Sequence, residues 1–248
     1  AYEITTLLVG SEMCIRDRYN TFHIGENCDV TIIAGCGIHN DSHKASEHDG
    51  IHTFHIGKNS RVKYVENHYG EGSGDGARIL NPVTKVFQDE NSFCEMEMVQ
   101  IRGVTSTVRD TDAELGAGAK LILTEKLLTD GDQKATSNMN IRLVGDNSNV
   151  QVISRSVAQD NSVQIFNPLV SGEAACHGHV QCDAIIMGNA VVKAIPGIEA
   201  AHEDAQLVHE AAIGKIAGDQ ITKLMTLGLT EEEAEAEILD DFLSSVSY

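Results

Sequence analysis

Short segments in which apolar and polar residues alternate recur along most of the chain, and each follows a small polar turn. In most turns the first residue is Gly or Asp, the third is Asn or Gly, and the fourth is Ser or Ala. A period of two predicts strands, and Gly and Asn tolerate the positive φ of tight corners. The last residues of successive turns lie 32, 27, 29, 14 and 28 apart, which indicates a unit of about 14 to 16 residues. The turns are Gly57–Ser60, Asp89–Ser92, Gly116–Ala119, Gly145–Ser148, Gln159–Ser162 and Met187–Ala190.

One segment is repeated almost letter for letter. Thr21–Asn27 (TFHIGEN) returns as Thr53–Asn59 (TFHIGKN), 32 residues later. Regular short strands with polar corners, and no helical period before about residue 203, predict a mainly β chain built as a β-solenoid. A jelly roll or cupin-like double sheet is the alternative that the same pattern allows.

The period changes after Pro196, where apolar residues begin to recur every three or four positions. This spacing predicts a helix over residues 204–216. A second helix is expected over 219–225, and the capping box of Thr230 and Glu233 predicts a third that ends near Leu243. A small helical module is therefore predicted after the solenoid.

The chain divides into three predicted parts. Leu7–Arg18 (LLVGSEMCIRDR) resembles translated sequencing adapter and breaks the strand pattern. Residues 1–19 are interpreted as a non-native or disordered start, so that Cys14 has no role and the true N-terminus is not given. The solenoid core is assigned to residues 20–200 and the helical module to residues 201–248.

The composition and charge of the chain exclude several classes of partner and location. Lys and Arg number 18 against 37 for Asp and Glu, a formal net charge of −19, which repels nucleic acid and anionic membrane surfaces. No apolar run reaches the roughly 18 residues of a membrane span. Six cysteines without a CxxC pair predict reduced thiols in the cytoplasm and no structural zinc ribbon. The glycine-rich Glu71–Gly76 lacks the Lys and Ser/Thr of a phosphate loop, so any ATP hydrolysis belongs to a partner.

Three stretches of the chain resemble the SufB/SufD family of iron–sulfur cluster assembly scaffolds. They are Gly178–Ile186, a late strand around a cysteine; Ala194–Pro196 with Asp204–Ala205 and His209–Ile216, the stretch before the helices; and Gln220 with Gly228–Ala234, the C-terminal helical signature.

The resemblance implies a right-handed parallel β-helix with a helical end that binds a SufC-like ABC ATPase. It also implies a homodimer or a SufB/SufD-like heterodimer that builds a transient iron–sulfur cluster and passes it to apoproteins. Ile221–Thr222 and Thr226–Gly228 depart from the family pattern. The chain therefore resembles a short, divergent branch, and the resemblance does not assign it to the SufB or the SufD role. Neither cluster type nor the involvement of a flavin follows from the residues.

The resemblance also places the nascent cluster on Cys182, His209 and Glu210. Cluster assembly needs thiolates, with imidazole or carboxylate as supplementary ligands. Each residue has a plainer interpretation: Cys182 as a small core residue, His209 as a packing or capping residue, and Glu210 as a solvated helix residue. Neighbours on a helix diverge by about 100°, so only one of His209 and Glu210 is expected to reach the metal. Cys176 is the second thiolate candidate.

A histidine-rich segment, Cys36–His52, offers further candidates: Cys36, His39 and His43. Neutral imidazoles bind divalent metals, so an iron entry site is one interpretation. The alternative is a solvated loop that covers a strand edge or the solenoid end.

Taken together, these residues predict a non-enzymatic scaffold. The main rival is a β-helix hydrolase, lyase or acyltransferase that uses His39, Asp41 and His43 as acid and base. A metal storage or sensing module is a third, weaker alternative.

Overall fold

The structure is a computed structural model that describes residues 2–10 and 15–244. Cys14 lies outside these residues. The described chain consists of seventeen strands followed by two helices. The strands are β1 (Tyr2–Gly10), β2 (Ile15–Ile24), β3 (Asp29–Asn40), β4 (Ser46–Ile56), β5 (Arg61–Glu71), β6 (Arg78–Leu80), β7 (Val83–Gln88), β8 (Phe93–Arg102), β9 (Ser106–Leu115), β10 (Lys120–Thr129), β11 (Lys134–Leu143), β12 (Asn149–Ala158), β13 (Val163–Gly172), β14 (His177–Ile186), β15 (Val191–Ala194), β16 (Gly197–Ala200) and β17 (Gln206–Gly214). The helices are α1 (Gly218–Thr226) and α2 (Glu231–Ser244).

The strands form two sheets, and the chain alternates between them except at β6–β7 and β15–β16, where consecutive strands belong to the same sheet. Sheet A has the order β1-β3-β5-β8-β10-β12-β14-β17, and sheet B has the order β15-β13-β11-β9-β6-β4-β2, with β7 and β16 beside it. Every strand pair is parallel. The fold is thus a parallel β-solenoid of about seven turns, and the predicted fold class is confirmed over the jelly roll.

The repeated segment marks one turn of the solenoid. Thr21 pairs with Thr53 and Ile24 with Ile56, so the two copies lie in register on neighbouring strands. Their rings stack: Phe22 and Phe54 lie 4.7 Å apart between centroids. The boundary predicted at residue 20 falls inside β2, which pairs with β4.

The predicted helix over residues 204–216 is wrong. Gln206–Gly214 is strand β17, which pairs in parallel with β14 from His177 to Ile185. The apolar residues of this segment suit a helix, but Leu207, His209 and Ala211 also alternate. The open edge of β14 supplies backbone hydrogen bonds to the whole segment, and this tertiary pairing decides the structure. The solenoid therefore continues to residue 214, and the helical module begins at Gly218.

The other two helices agree with prediction. At α2, the Thr230 side-chain oxygen accepts from the Glu233 N–H at 3.2 Å, and the Glu233 carboxylate accepts from the Thr230 N–H at 2.8 Å. This is the predicted capping box. The helix packs on the outer face of sheet A, where Ala234 and Leu239 are buried and the Arg155 guanidinium lies over the Phe242 ring. None of the described helices is both long enough and apolar enough to cross a bilayer.

The interior of the solenoid has two halves. Next to the corners that lead from sheet B to sheet A it is apolar, with Phe54, Tyr64 and Leu121 fully buried. Further along strands β5, β8, β10 and β12 of sheet A the inward positions become polar. The buried polar side chains there include His52, Glu66, His68, Gln100, Arg109, Thr111, Glu125, Ser137, Ser154 and Ser156.

Candidate functional site

Cys182 lies on the inner face of β14, near the C-terminal end of the solenoid. Its side chain is 1% exposed and its register neighbours are Ser154 on β12 and Ala211 on β17. Burial, with smaller contributions from Asp183 and Glu125, raises the pKa of the Cys182 thiol to about 11. The thiol is therefore protonated at neutral pH, and a bound metal ion would have to displace its proton.

His209 lies on the inner face of the adjacent strand. Its register partner is Val180, two residues before Cys182, so the two side chains are diagonal neighbours on one face. Its Nε2 atom is buried without a hydrogen-bond partner. Burial lowers the pKa of His209, which keeps the imidazole neutral and able to bind a metal.

Glu210 points the other way. It is exposed, and its carboxylate lies 3.0 Å from Nε2 of His179 on the outer face of sheet A. The two faces of a strand, not the 100° step of a helix, separate His209 from Glu210. The three predicted ligands of one chain therefore do not meet at one point; Cys182 and His209 share the interior, and Glu210 faces outward beside them.

Cys176, the second thiolate candidate, is fully buried in the apolar core. It stands one residue before β14, and Cys182 follows six extended residues later, a separation of roughly 20 Å. The structure does not bring the two thiols together.

The histidine-rich segment is mostly strand, with a short corner over residues 41–45 between β3 and β4. At the surface of this corner, Nε2 of His39 lies 2.7 Å from Asp41, which raises the pKa of His39. His43 instead contacts Asp75 of the next turn, at 2.5 Å. His39 and Asp41 are thus joined as predicted for an acid–base pair, whereas His43 has a different partner. The alternative of a solvated loop is wrong for most of the segment, because β3 and β4 continue through it.

Cys36 lies inside the solenoid rather than in a surface loop. It is buried on β3, and its register partner on the adjacent strand β5 is His68. Glu66, two residues earlier on β5, completes a group whose donor atoms lie within 4.8 Å of one another. Among the described residues, these three are the group of potential metal ligands whose donor atoms lie this close together. Sequence reasoning missed Glu66 and placed His68 only near the histidine-rich segment without choosing it as a ligand, although both continue the inward parity of Val62 and Tyr64.

A row of inward side chains connects the two regions along the solenoid axis. Each member is the register partner of the next, from β5 through β8, β10 and β12 to β14. Four strand steps of about 4.8 Å put its ends roughly 19 Å apart. The row is Glu66, Met98, Glu125, Ser154 and Cys182.

Comparison with known proteins adds a family. The family model described as "SUF system FeS cluster assembly, SufBD core domain" matches residues 10–242. An iron–sulfur cluster assembly SufBD family protein of Methanothermobacter thermautotrophicus is 27% identical over 96% of this chain and 58% of its own length. One from Methanocaldococcus jannaschii is 30% identical over 76% of this chain and 60% of its own. One from Galdieria sulphuraria is 28% identical over 76% of this chain and 89% of its own. The chain thus spans about three fifths of the length of the two archaeal relatives.

Proposed function

The chain belongs to the SufBD core family of the SUF system for iron–sulfur cluster assembly, and from this premise we propose that it is a non-enzymatic scaffold. In this role it holds a nascent iron–sulfur cluster, its cargo, and passes it to apoproteins. A cytoplasmic location belongs to the same proposal.

The observation that carries the proposal is the placement of Cys182 and His209. Both lie on the inner face of the last two strands of sheet A, where β17 is the terminal strand. A thiol and a neutral imidazole supply the soft and borderline donors that iron accepts. Glu210, on the outer face of the same strand, offers a carboxylate to a cluster that reaches the sheet edge. A cluster that is held by only a few protein ligands is loosely bound, which suits a cluster that must be transferred to another protein.

The sheet edge also suggests how the ligand set is completed. Among the described strands β17 pairs with β14 alone, and it presents the exposed Val208 and Ile213. An open edge with apolar side chains is a template for pairing with another chain. We propose that a second SufBD subunit, a copy of this chain or a related one, adds at β17 and contributes further ligands.

The C-terminal helices are proposed to bind a SufC-like ABC ATPase. The apolar face of α2 is not free to bind a partner, because its Ala234 and Leu239 are already buried within the chain. Helix α1, in contrast, has no buried residue, and Met225 and the following Leu227 are exposed. The proposed anchor is therefore the end of α1.

Anaerobic reconstitution with ferrous iron and sulfide tests the cluster site. We expect visible absorption from a bound cluster in the wild type and a large loss of it in Cys182→Ser. Cys94→Ser is the matched control, because Cys94 is also inward on sheet A but lies in the apolar half, between Val62 and Leu121 in register. An equal loss in both variants, or no cluster in the folded wild type, would contradict the assignment.

A further inference from the structure

The group formed by Cys36, Glu66 and His68 lies inside the solenoid, far from the proposed cluster site. All three side chains are buried, and their donor atoms lie within 4.8 Å of one another. A thiolate, a carboxylate and an imidazole around a tetrahedral ion stand roughly 3.5 Å apart. The Nε2 atom of His68 and the Glu66 carboxylate are already at 3.1 Å, so closure requires a shift of about 1 Å by the Cys36 side chain.

The hydrogen bonds of the chain leave this group incompletely satisfied. Both carboxylate oxygens of Glu66 and Nε2 of His68 are buried and lack a well-aligned hydrogen bond. His52 comes close, with Nδ1 3.2 Å from Glu66 and 2.7 Å from the Tyr64 hydroxyl. The Arg109 guanidinium lies 3.9 Å from the same carboxylate, so positive and polar groups surround Glu66 without an aligned hydrogen bond, and coordination to a cation would supply the missing partner.

We propose that Cys36, Glu66 and His68 form a binding site for one divalent transition-metal ion of the Zn²⁺ or Fe²⁺ class. The mixed sulfur, nitrogen and oxygen donors select such borderline ions over Mg²⁺ or Ca²⁺, which take oxygen ligands. Three protein ligands leave a fourth position open for water or another small ligand. His52 acts as an outer partner that orients the Glu66 carboxylate.

Charged side chains of both signs surround the group. Arg109 reaches into the same space: it donates to Nδ1 of His68 at 2.9 Å and lies 3.3 Å from Glu125. Two positive charges on the ion and one on Arg109 would stand against the negative charges of Cys36, Glu66 and Glu125, and Arg18 is a further positive charge that acts on Cys36. The interior thus holds the counter-charges that a buried dication requires.

Coordination through Nε2 of His68 also fixes where the protons go. Since Arg109 donates to Nδ1, the neutral ring of the metal-free chain carries its proton on Nε2. A metal held at Nε2 would require this proton on Nδ1, so Arg109 would have to release Nδ1 while keeping its contact with Glu125. The thiol proton of Cys36 would be released to solvent.

Cobalt(II) added anaerobically to the metal-free full chain tests the site, because thiolate–cobalt coordination produces an intense absorption that histidine or carboxylate sites do not. We expect this absorption in the wild type at one cobalt per chain. It is lost in Cys36→Ser and retained in Cys94→Ser and Cys182→Ser. His52→Gln weakens the apparent affinity by about 10- to 100-fold with the thiolate absorption intact.

A second variant and a second readout guard against misfolding. His68→Gln keeps the thiol and is expected to weaken cobalt binding as well, and bound Zn²⁺ should raise the wild-type melting temperature but not that of Cys36→Ser. Absence of the thiolate absorption in the wild type would overturn the proposal, as would its survival in Cys36→Ser. Because the cluster site depends on Cys182, the two assignments fail independently.

Discussion

Two corners with the same three-residue sequence, Asp-Asn-Ser, have different backbone conformations. Asp146-Asn147-Ser148 leads from sheet B to sheet A, and Asp160-Asn161-Ser162 leads from sheet A to sheet B. The positive φ falls on Asn147 in the first corner, at 59°, and on Asp160 in the second, at 58°. The sequence predicts both corners but not this difference. Whether the chain turns from sheet B to sheet A or from sheet A to sheet B, and not the amino-acid sequence of the corner, decides which residue is left-handed.

Replacing these asparagines by alanine tests the difference. Asn147→Ala should lower the free energy of unfolding by about 1 kcal/mol, because alanine lacks the local tolerance of Asn for the left-handed region. Asn161→Ala, the matched control, should cost clearly less. Urea unfolding measures both, and equal losses would show that the corners are equivalent in solution.

His209 gives the chain a pH dependence with a definite sign. Its folded pKa is lowered by burial, whereas the unfolded residue keeps a pKa of about 6.5. Below pH 6.5 the unfolded chain therefore binds more protons at this position, and stability is lost as the pH falls. The fall in urea midpoint between pH 7.5 and pH 5.5 should be smaller in His209→Gln than in the wild type. An unchanged pH dependence would place the ring in solvent.

At the scale of elements, the spacing of apolar residues predicts a helix or strand correctly where only one period is present, and fails where a helical and a strand period coincide. The capping box of Thr230 and Glu233 identifies α2, because reciprocal side-chain bonds at that spacing serve a helix start. The segment Gln206–Gly214 carries both a helical and a strand pattern, and its pairing with β14 decides between them. No local signal reports that a sheet edge will be available.

Helix α1 supplies the element-scale prediction. Leu227 is 73% exposed, and a charge there should weaken capture of a purified SufC-like ABC ATPase by an immobilised chain. Leu227→Asp is therefore expected to reduce binding at least tenfold, with the fold intact. Thr222→Asp adds the same charge at an exposed position within α1, before the C-terminal cap at Leu227, and is the control. Equal binding by both variants would place the ATPase elsewhere.

For the whole molecule, the repeat of 32 residues was enough to predict a solenoid, since a shared period implies stacked, identical turns. The polar half of the interior was not predicted. Glu66 and His68 share the parity of Val62 and Tyr64, but a charged residue in an alternating strand is normally read as a surface position. What places them inside is the opposite sheet, whose Arg109 and His52 meet them.

The open edge at β17 leads to a testable prediction about the proposed dimer. Val208, 56% exposed on the terminal strand, should lie in the dimer contact, and Val208→Lys is expected to convert a dimer to a monomer in light scattering. Val108 is 42% exposed on β9, which has neighbours on both sides. Val108→Lys should leave the dimer unchanged. A dimer that persists in Val208→Lys would move the contact away from this edge.

Cluster transfer tests the central claim most directly. The reconstituted chain is mixed anaerobically with an apo-ferredoxin in the presence of an iron chelator, and the cluster acquired by the ferredoxin is followed by its circular dichroism. A scaffold should load the ferredoxin faster than free iron and sulfide do under the same conditions, and Cys182→Ser should not. A cluster that stays on the chain, or reaches the ferredoxin only when the chelator is omitted, would contradict the account.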